Sequence, residues 1–279
     1  MSHPAHPPPA VLIKVGGSIQ DDPAQITAVM RDAAAAARAG RPCVVVHGGG
    51  KAISAAMNAA GLTPRFVAGQ RYTDGPTLEI AERVLAETVN RELCAALAGA
   101  GARPYPLHSL GTCVLMASRS GETGKPGQPP ADLGLVGRVH TVAAEVLAGL
   151  CLQGFVPVIA PVAVESPRTA GSPGKLNVNA DLAAGTVARA LRPGAFVLVS
   201  DTPGVRTDAT RYAPELDRAA VAGLIASGVI DGGMLPKIQA CLEAIDAGVP
   251  DVSIIDGRVP GALARALAGG PIEGTRLKA

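Results

Sequence analysis

The stretch 43–51, CVVVHGGGK, constrains this chain more than any other. Its four apolar residues, three of them Val, form the short β-branched run expected of a fully buried strand. Gly48, Gly49 and Gly50 end it, and a helical pattern begins at once over 52–60. A strand that passes through glycines into a helix N-terminus aims main-chain N–H groups outward, and the missing Cβ atoms let a charged group approach. A tight connection alone needs one glycine; three in a row predict an anion site. It is not a Walker A loop, because Val45 stands where the first glycine belongs and Ala52 where Ser or Thr belongs. Ile53 occupies the third glycine position of a dinucleotide fingerprint, so that motif is excluded too.

The run 11–15, VLIKV, repeats the pattern and ends in Gly16-Gly17-Ser18. Lys14 is its anomaly. A lysine in an apolar strand either snorkels out of a sheet edge or points into a site where an anion meets it. Lysine is scarce here, at positions 14, 51, 125, 175, 237 and 278 only, so each one bears inspection.

Strand and helix patterns then alternate. A helix over 23–40 has Asp21 or Asp22 as its cap. Residues 65–74 predict a hairpin around Gly69 presenting Arg71, which by itself reads equally well as a solvated side chain. A long amphipathic helix over 76–100 and a strand over 103–107 follow. Segments 112–117 and 137–142 predict a surface hairpin about a polar, Pro/Gly-rich loop at 118–132. A helix over 143–154 leads to one buried strand over 155–164. Asn177, Asn179 and Asp181 precede a helix ending at Leu191; any one of the three would serve as its N-cap, which leaves two to explain. Pro193 and Gly194 mark a boundary. Beyond it come a strand over 195–200, helices over 219–227, 237–248 and 260–269, and a strand over 251–256; residues 274–278 close the chain. Lys237 near a helix start opposes the macrodipole, a cost of up to about 1 kcal/mol that an adjacent anion would offset. The expected architecture is α/β: a three-layer αβα sandwich with an open, mainly parallel central sheet and a site at the carboxyl ends of its strands.

At 279 residues and a net charge of +2, with no basic stripe, the chain offers nothing for nucleic acid. Its five cysteines are scattered without a C-x-x-C, as expected of reduced thiols rather than a metal site. No apolar run reaches the ~18 residues of a membrane span, and MSHPAHPPPA lacks the apolar core of a signal peptide. A soluble cytoplasmic protein with a disordered tail over 1–10 is expected.

IKVGGS, VVVHGGGK, FVAGQRYTD, LVGRV, PVIAPV, NVNADLAAG, LVSDTPGV, IDGGMLPKI and IIDGRVPGAL resemble, in order and spacing from 11 to 277, the acetylglutamate kinase branch of the amino acid kinase family. The resemblance implies transfer of a phosphoryl group from ATP, with Mg²⁺ carried mainly on the nucleotide phosphates, to the γ-carboxylate of N-acetyl-L-glutamate, the second step of arginine biosynthesis. It makes Lys14 and Lys237 the ammonium groups flanking the phosphoryl and Asp181 the carboxylate holding both. Gly16, Gly17 and Gly49 would donate N–H groups to phosphate, and Gly49 and Gly50 would line the acceptor pocket. Arg71, Asn177 and Asn179 would hold the acceptor. Ser200, Asp201, Thr202, Gly204 and Val205, with Val229, Ile230 and Asp231, would take the adenine and ribose. Residues 11–194 would then form an acceptor-binding and dimerising lobe and 195–279 an ATP lobe, with no metal ligand from the protein itself. Relatives inhibited by arginine carry an extra N-terminal helix that the prolines of 1–10 forbid, so an arginine-insensitive homodimer is expected. A regulator of the PII type is not indicated. His108-Ser109-Leu110-Gly111 departs from the Gly-x-Asp-Gly turn of many relatives. The rival reading is a sister kinase acting on another acylated or carrier-linked amino acid, such as aminoadipate.

Overall fold

The structure, a computed structural model, describes residues 10–279 apart from 18, 20, 21, 68, 121–131 and 209. The expected disorder of the tail, Asp21 as a cap and most of the 118–132 loop fall outside these residues. Asp22 caps the helix Pro23–Arg38, accepting from the Ala24 amide at 2.9 Å.

One eight-stranded sheet spans the molecule in the order Glu215–Leu216, Gly274–Leu277, Val252–Asp256, Ala195–Ser200, Val11–Val15, Cys43–His47, Val156–Ile159, Pro104–Leu107. All neighbours run parallel except Gly274–Leu277 against Val252–Asp256. The central strands are buried on both faces, which is why they read as continuous apolar runs. Val11, Ile13 and Val15 pack on one side with helices Pro23–Arg38 and Asn90–Gly99. Leu12, Val44, Val46, Phe196 and Leu198 pack on the other with helices Ala180–Leu191 and Met234–Asp246. The three-layer expectation holds.

Three expectations need correction. The predicted surface hairpin belongs to a small closed barrel of Lys175–Val178, Val136–Val142, Leu115–Arg119 and Val162–Glu165. Its closure depends on Gly137, where an added Cβ would lie 2.8 Å from Leu176 Cβ and 3.0 Å from Ala117 Cβ. The predicted strand over 155–164 is two strands, because Pro161 has no N–H to continue the ladder and the chain turns there from the sheet into the barrel. The long helix is α-helical over Gly75–Arg83 and Asn90–Gly99 but π-helical over Val84–Val89. Among the described residues no helix is long and apolar enough to cross a membrane.

Helices Ala180–Leu191 and Met234–Asp246 touch at Gly185, where a Cβ would lie 2.8 Å from Ala240 Cα and 3.0 Å from Glu243 Oε2. Gly185→Ala is therefore expected to destabilise the protein by about 1–3 kcal/mol through overpacking. Gly149→Ala, in helix Ala144–Leu152 with nothing within 4 Å, should instead be neutral or stabilise by up to about 1 kcal/mol. Denaturant unfolding of the two variants checks the contrast.

Candidate active site

The carboxyl ends of the parallel strands open onto a cleft of about 660 Å³. Lys14, on the central strand, is paired in register with Val46 and Leu198 and is 4% exposed. Its side chain points to the same face as Leu12, the face covered by helix Ala180–Leu191, and Asp181 waits in that helix's first turn. Lys14 Nζ lies 2.6 Å from Asp181 Oδ1, and Lys237 Nζ, from the first turn of Met234–Asp246, lies 3.0 Å from Oδ2. Burial pushes the Asp181 carboxyl up, but the two ammonium groups outweigh that and hold it below the usual carboxylate range. Burial pulls the Lys14 ammonium below its ordinary value; Asp181 opposes this and Lys237 adds to it.

The competition among possible caps has a definite outcome. Asn179 is the N-cap, its Oδ1 accepting from the Asp181 and Leu182 amides at 2.9 and 3.2 Å. Asp181 is thereby released from capping and turned onto the lysines. Asn177 donates to Thr73 Oγ1 at 3.1 Å and faces the cleft from the barrel strand Lys175–Val178.

Two glycine loops meet across the cleft floor. A Cβ on Gly17 would lie 3.1 Å from the Gly50 nitrogen and 3.3 Å from that of Gly49. The Gly16 amide is committed to the sheet, donating to the Val199 carbonyl at 2.9 Å, and the Gly48 amide donates likewise to Val15. Among the described residues no acceptor takes the N–H groups of Gly17, Gly49 or Gly50. Arg71, on the predicted hairpin Phe66–Val67 and Gln70–Arg71, is 8% exposed. Its guanidinium donates to the Gly50 carbonyl at 2.7 Å and Ser54 Oγ at 2.8 Å, and contacts Met57 Sδ at 3.2 Å. These partners are all neutral, so among the described residues a buried cation faces the cleft without a carboxylate.

The residues expected on the nucleotide side do not line this cleft. Ser200 ends the strand Ala195–Ser200, and Asp201, just beyond it, is near enough to oppose slightly the lowering of the Lys14 pKa by burial. Thr202 Oγ1 donates to the Gly204 carbonyl at 3.0 Å, and Val205 N donates to Thr275 Oγ1 at 2.8 Å. Gly204 sits at φ 125°, where a Cβ would lie 2.5 Å from Thr275 Oγ1, so only glycine fits this turn. Val229 and Ile230 close the end of helix Arg218–Ala226 through their amides to Leu224 O. The Ile230 side chain is core, and exposed Asp231 accepts from the Met234 amide. Lys51, Asn58, Phe66 and Gln70 line the cleft mouth without having been singled out for that place. Only their position after or beside the glycine loop and hairpin could have marked them.

Asp181→Asn leaves two ammonium groups facing each other and is expected to destabilise by about 3–5 kcal/mol near neutral pH. Lys237→Met should cost far less, because Asp181 keeps Lys14. The Asp181 contribution is present above the ordinary carboxylate pKa of about 4 and is lost as pH falls through the lower native value, so the gap between wild type and Asp181→Asn should close in acid. Thermal unfolding across pH measures both effects.

The sequence model of the amino acid kinase family matches residues 9–256. An acetylglutamate kinase of Roseiflexus sp. (strain RS-1) is 43% identical over 254 residues, covering 89% of this chain and 90% of that protein. One of Symbiobacterium thermophilum is 41% identical over 260 residues, covering 91% and 86%. The crystal structure of smu.665 from Streptococcus mutans UA159 superposes with a TM-score of 0.76 at 25% identity, covering 96% of this chain and 98% of that one. With the fold, the cleft and these relatives together, the chain belongs to the amino acid kinase family and is a kinase.

Proposed function

We propose that this kinase transfers the γ-phosphoryl group of ATP to the γ-carboxylate of N-acetyl-L-glutamate, as in arginine biosynthesis. One observation carries the reading: two lysines from opposite ends of the chain converge on one buried carboxylate beside outward-facing glycine amides. The names of the relatives at 41–43% identity support the choice of acceptor.

The acceptor carboxylate oxygen attacks Pγ in line. A new O–P bond forms, the bond from Pγ to the bridging oxygen breaks, and ADP leaves with the electron pair. No proton moves, so no general base is required. The chemical demand is alignment of two anions and neutralisation of their charge. Lys14 and Lys237 flank the migrating group, Asp181 sets their separation, and the amides of Gly17 and Gly49 meet the equatorial oxygens. Gly16 contributes the turn rather than a donor. Arg71, buried among neutral partners, takes the α-carboxylate of the acceptor; Asn177 takes its acyl-amino end; Asn179 serves by placing Asp181. Among the described residues Asp181 is the only carboxylate lining the cleft and is occupied by two lysines, which fits a Mg²⁺ that would be held by the nucleotide and would neutralise its phosphates. Residues 11–194 hold the acceptor and 195–279 the nucleotide, with Ser200, Asp201, Thr202, Gly204, Val205, Val229, Ile230 and Asp231 on the adenine and ribose side.

Hydroxylamine trapping of the acyl phosphate tests this. ATP-dependent hydroxamate is expected with acetylglutamate, and Lys14→Met and Lys237→Met should each lower kcat by about 10²–10³. Arg71→Leu should raise the acetylglutamate KM by roughly 10–100-fold and leave the ATP KM unchanged. ADP release with an aminoadipate derivative, aspartate or carbamate but not with acetylglutamate would reject the assigned acceptor.

A further inference from the structure

His47 ends the strand Cys43–His47 fully buried, beside the glycine loop and without an acidic partner among the described residues. Its surroundings fix its protonation pattern one step at a time. The Val158 carbonyl can only accept, so the nitrogen of the Asn90 amide faces it, at 2.9 Å. The same nitrogen's other N–H faces His47 Nε2 at 3.1 Å, so Nε2 must accept. The imidazole proton is therefore on Nδ1, which lies 2.8 Å from the Gly48 carbonyl oxygen and donates to it. Burial brings the His47 pKa down to about 4, so the ring stays neutral and keeps this one tautomer near neutral pH.

The Gly48 carbonyl and the Gly49 N–H are opposite ends of one planar peptide. Drawing the carbonyl toward His47 turns the Gly49 N–H the other way, and Gly49 lines the cleft. The preceding peptide is held as well, because the Gly48 amide donates to the Val15 carbonyl at 2.9 Å. Between two glycines a peptide flip costs little by itself. A flipped unit would present a carbonyl oxygen to the site in place of a donor. The π-helical turn Val84–Val89 brings Asn90 to the imidazole and sets Leu85 and Val89 behind Gly49, where a Cβ would come 2.6 Å from Leu85 Cδ2.

We propose that Val158, Asn90 and His47 form a directional hydrogen-bond relay whose purpose is to hold the Gly48–Gly49 peptide with its N–H toward the transferring phosphoryl, making His47 and Asn90 positioning residues. The value of that N–H rests on the phosphoryl-transfer reading above; the relay itself does not.

Two measurements on the full chain test it. Imidazole ¹⁵N–¹H correlations near neutral pH, with His47 assigned by its loss in His47→Asn, should give a neutral Nδ1–H ring; an Nε2–H tautomer or an imidazolium overturns the relay. In kinetics, His47→Leu should lower kcat by about 10²-fold with the ATP KM changed by less than about threefold. His47→Asn, whose amide nitrogen sits near the place of Nδ1, should recover roughly tenfold of that loss. Asn90→Asp offers Nε2 an acceptor instead of a donor; where the ring stays neutral this moves the proton from Nδ1 to Nε2 and should lower kcat like His47→Leu, whereas an imidazolium would keep Nδ1–H and kcat. A folded His47→Leu, or an Asn90→Asp with altered tautomer, that keeps kcat within about threefold of wild type overturns the proposal. If His47→Leu does not fold, Asn90→Asp and the tautomer decide. Wild-type protein inactive on acetylglutamate but carrying the Nδ1–H ring would reject the acceptor and leave the relay standing.

Discussion

The site depends on one carboxylate, Asp181, shared between two ammonium groups. Neither lysine is stable in its position alone: Lys14 rises from near the carboxyl end of a buried central strand, and Lys237 stands against the dipole of its own helix. Asp181 meets both at 2.6 and 3.0 Å, which leaves the trio with one net positive charge in a place largely shielded from water. Buried ion clusters contribute little net stability by themselves, because desolvation offsets most of the attraction. What this cluster has instead is a standing demand for one more anion. Under the proposed function, a phosphoryl group between the lysines would satisfy it, and would do so best when its charge is spread over equatorial oxygens.

The topology explains why these groups meet. From Val11–Val15 the chain first fills one side of the sheet, with Cys43–His47, the edge strand Pro104–Leu107 and then Val156–Ile159 between them, and returns to the other side of the same strand with Ala195–Ser200 and Val252–Asp256. The crevice above the carboxyl end of Val11–Val15 is the point where strand order reverses, and loops part there to either side. Lys14 sits at that point. Asp181 and Lys237 reach it from two helices that share the covering layer and approach closely because Gly185 has no side chain. Small residues at the helix contact thus set a distance between charges in the cleft.

Features whose cause is local were legible in the sequence. The glycine-ended strands at 11–17 and 43–50, the hairpin at Gly69 and the helix after Asn179 all follow from residue type and period. Lys14 was conspicuous because a charge in an apolar run contradicts its setting. Features whose cause is a distant contact were not legible. The barrel needs Gly137 to admit Leu176, thirty-nine residues further on, and 137–142 looks like any exposed hairpin without that partner. The π turn at Val84–Val89 has an unbroken helical pattern; its role becomes visible only where Leu85 and Val89 meet Gly49. Asn90 and His47 lie forty-three positions apart, and each by itself is an ordinary residue in its element. The cap at 179–181 was a contest among three candidates, and only the positions of the two lysines explain why Asn179 rather than Asp181 took it.

The two kinds of donor around the cleft differ in what they require of the fold. An ammonium group is a point charge: its attraction for phosphate falls gently with distance and barely depends on orientation, so a flexible lysine tethered by Asp181 suffices. A backbone N–H is a dipole that becomes repulsive when turned over, and glycine, which allows the close approach, also allows the turn. A phosphate site built from glycine amides therefore needs something rigid behind it to choose the sign of each peptide. Here the loop is backed by Leu85 and Val89, and its first peptides are held by Val15 and by a neutral imidazole. A protonated ring would have no lone pair for the Asn90 amide, and the burial that keeps His47 neutral is the condition for the arrangement. Packing around His47 in this way sets the electrostatics of a loop whose own residues carry no side chains.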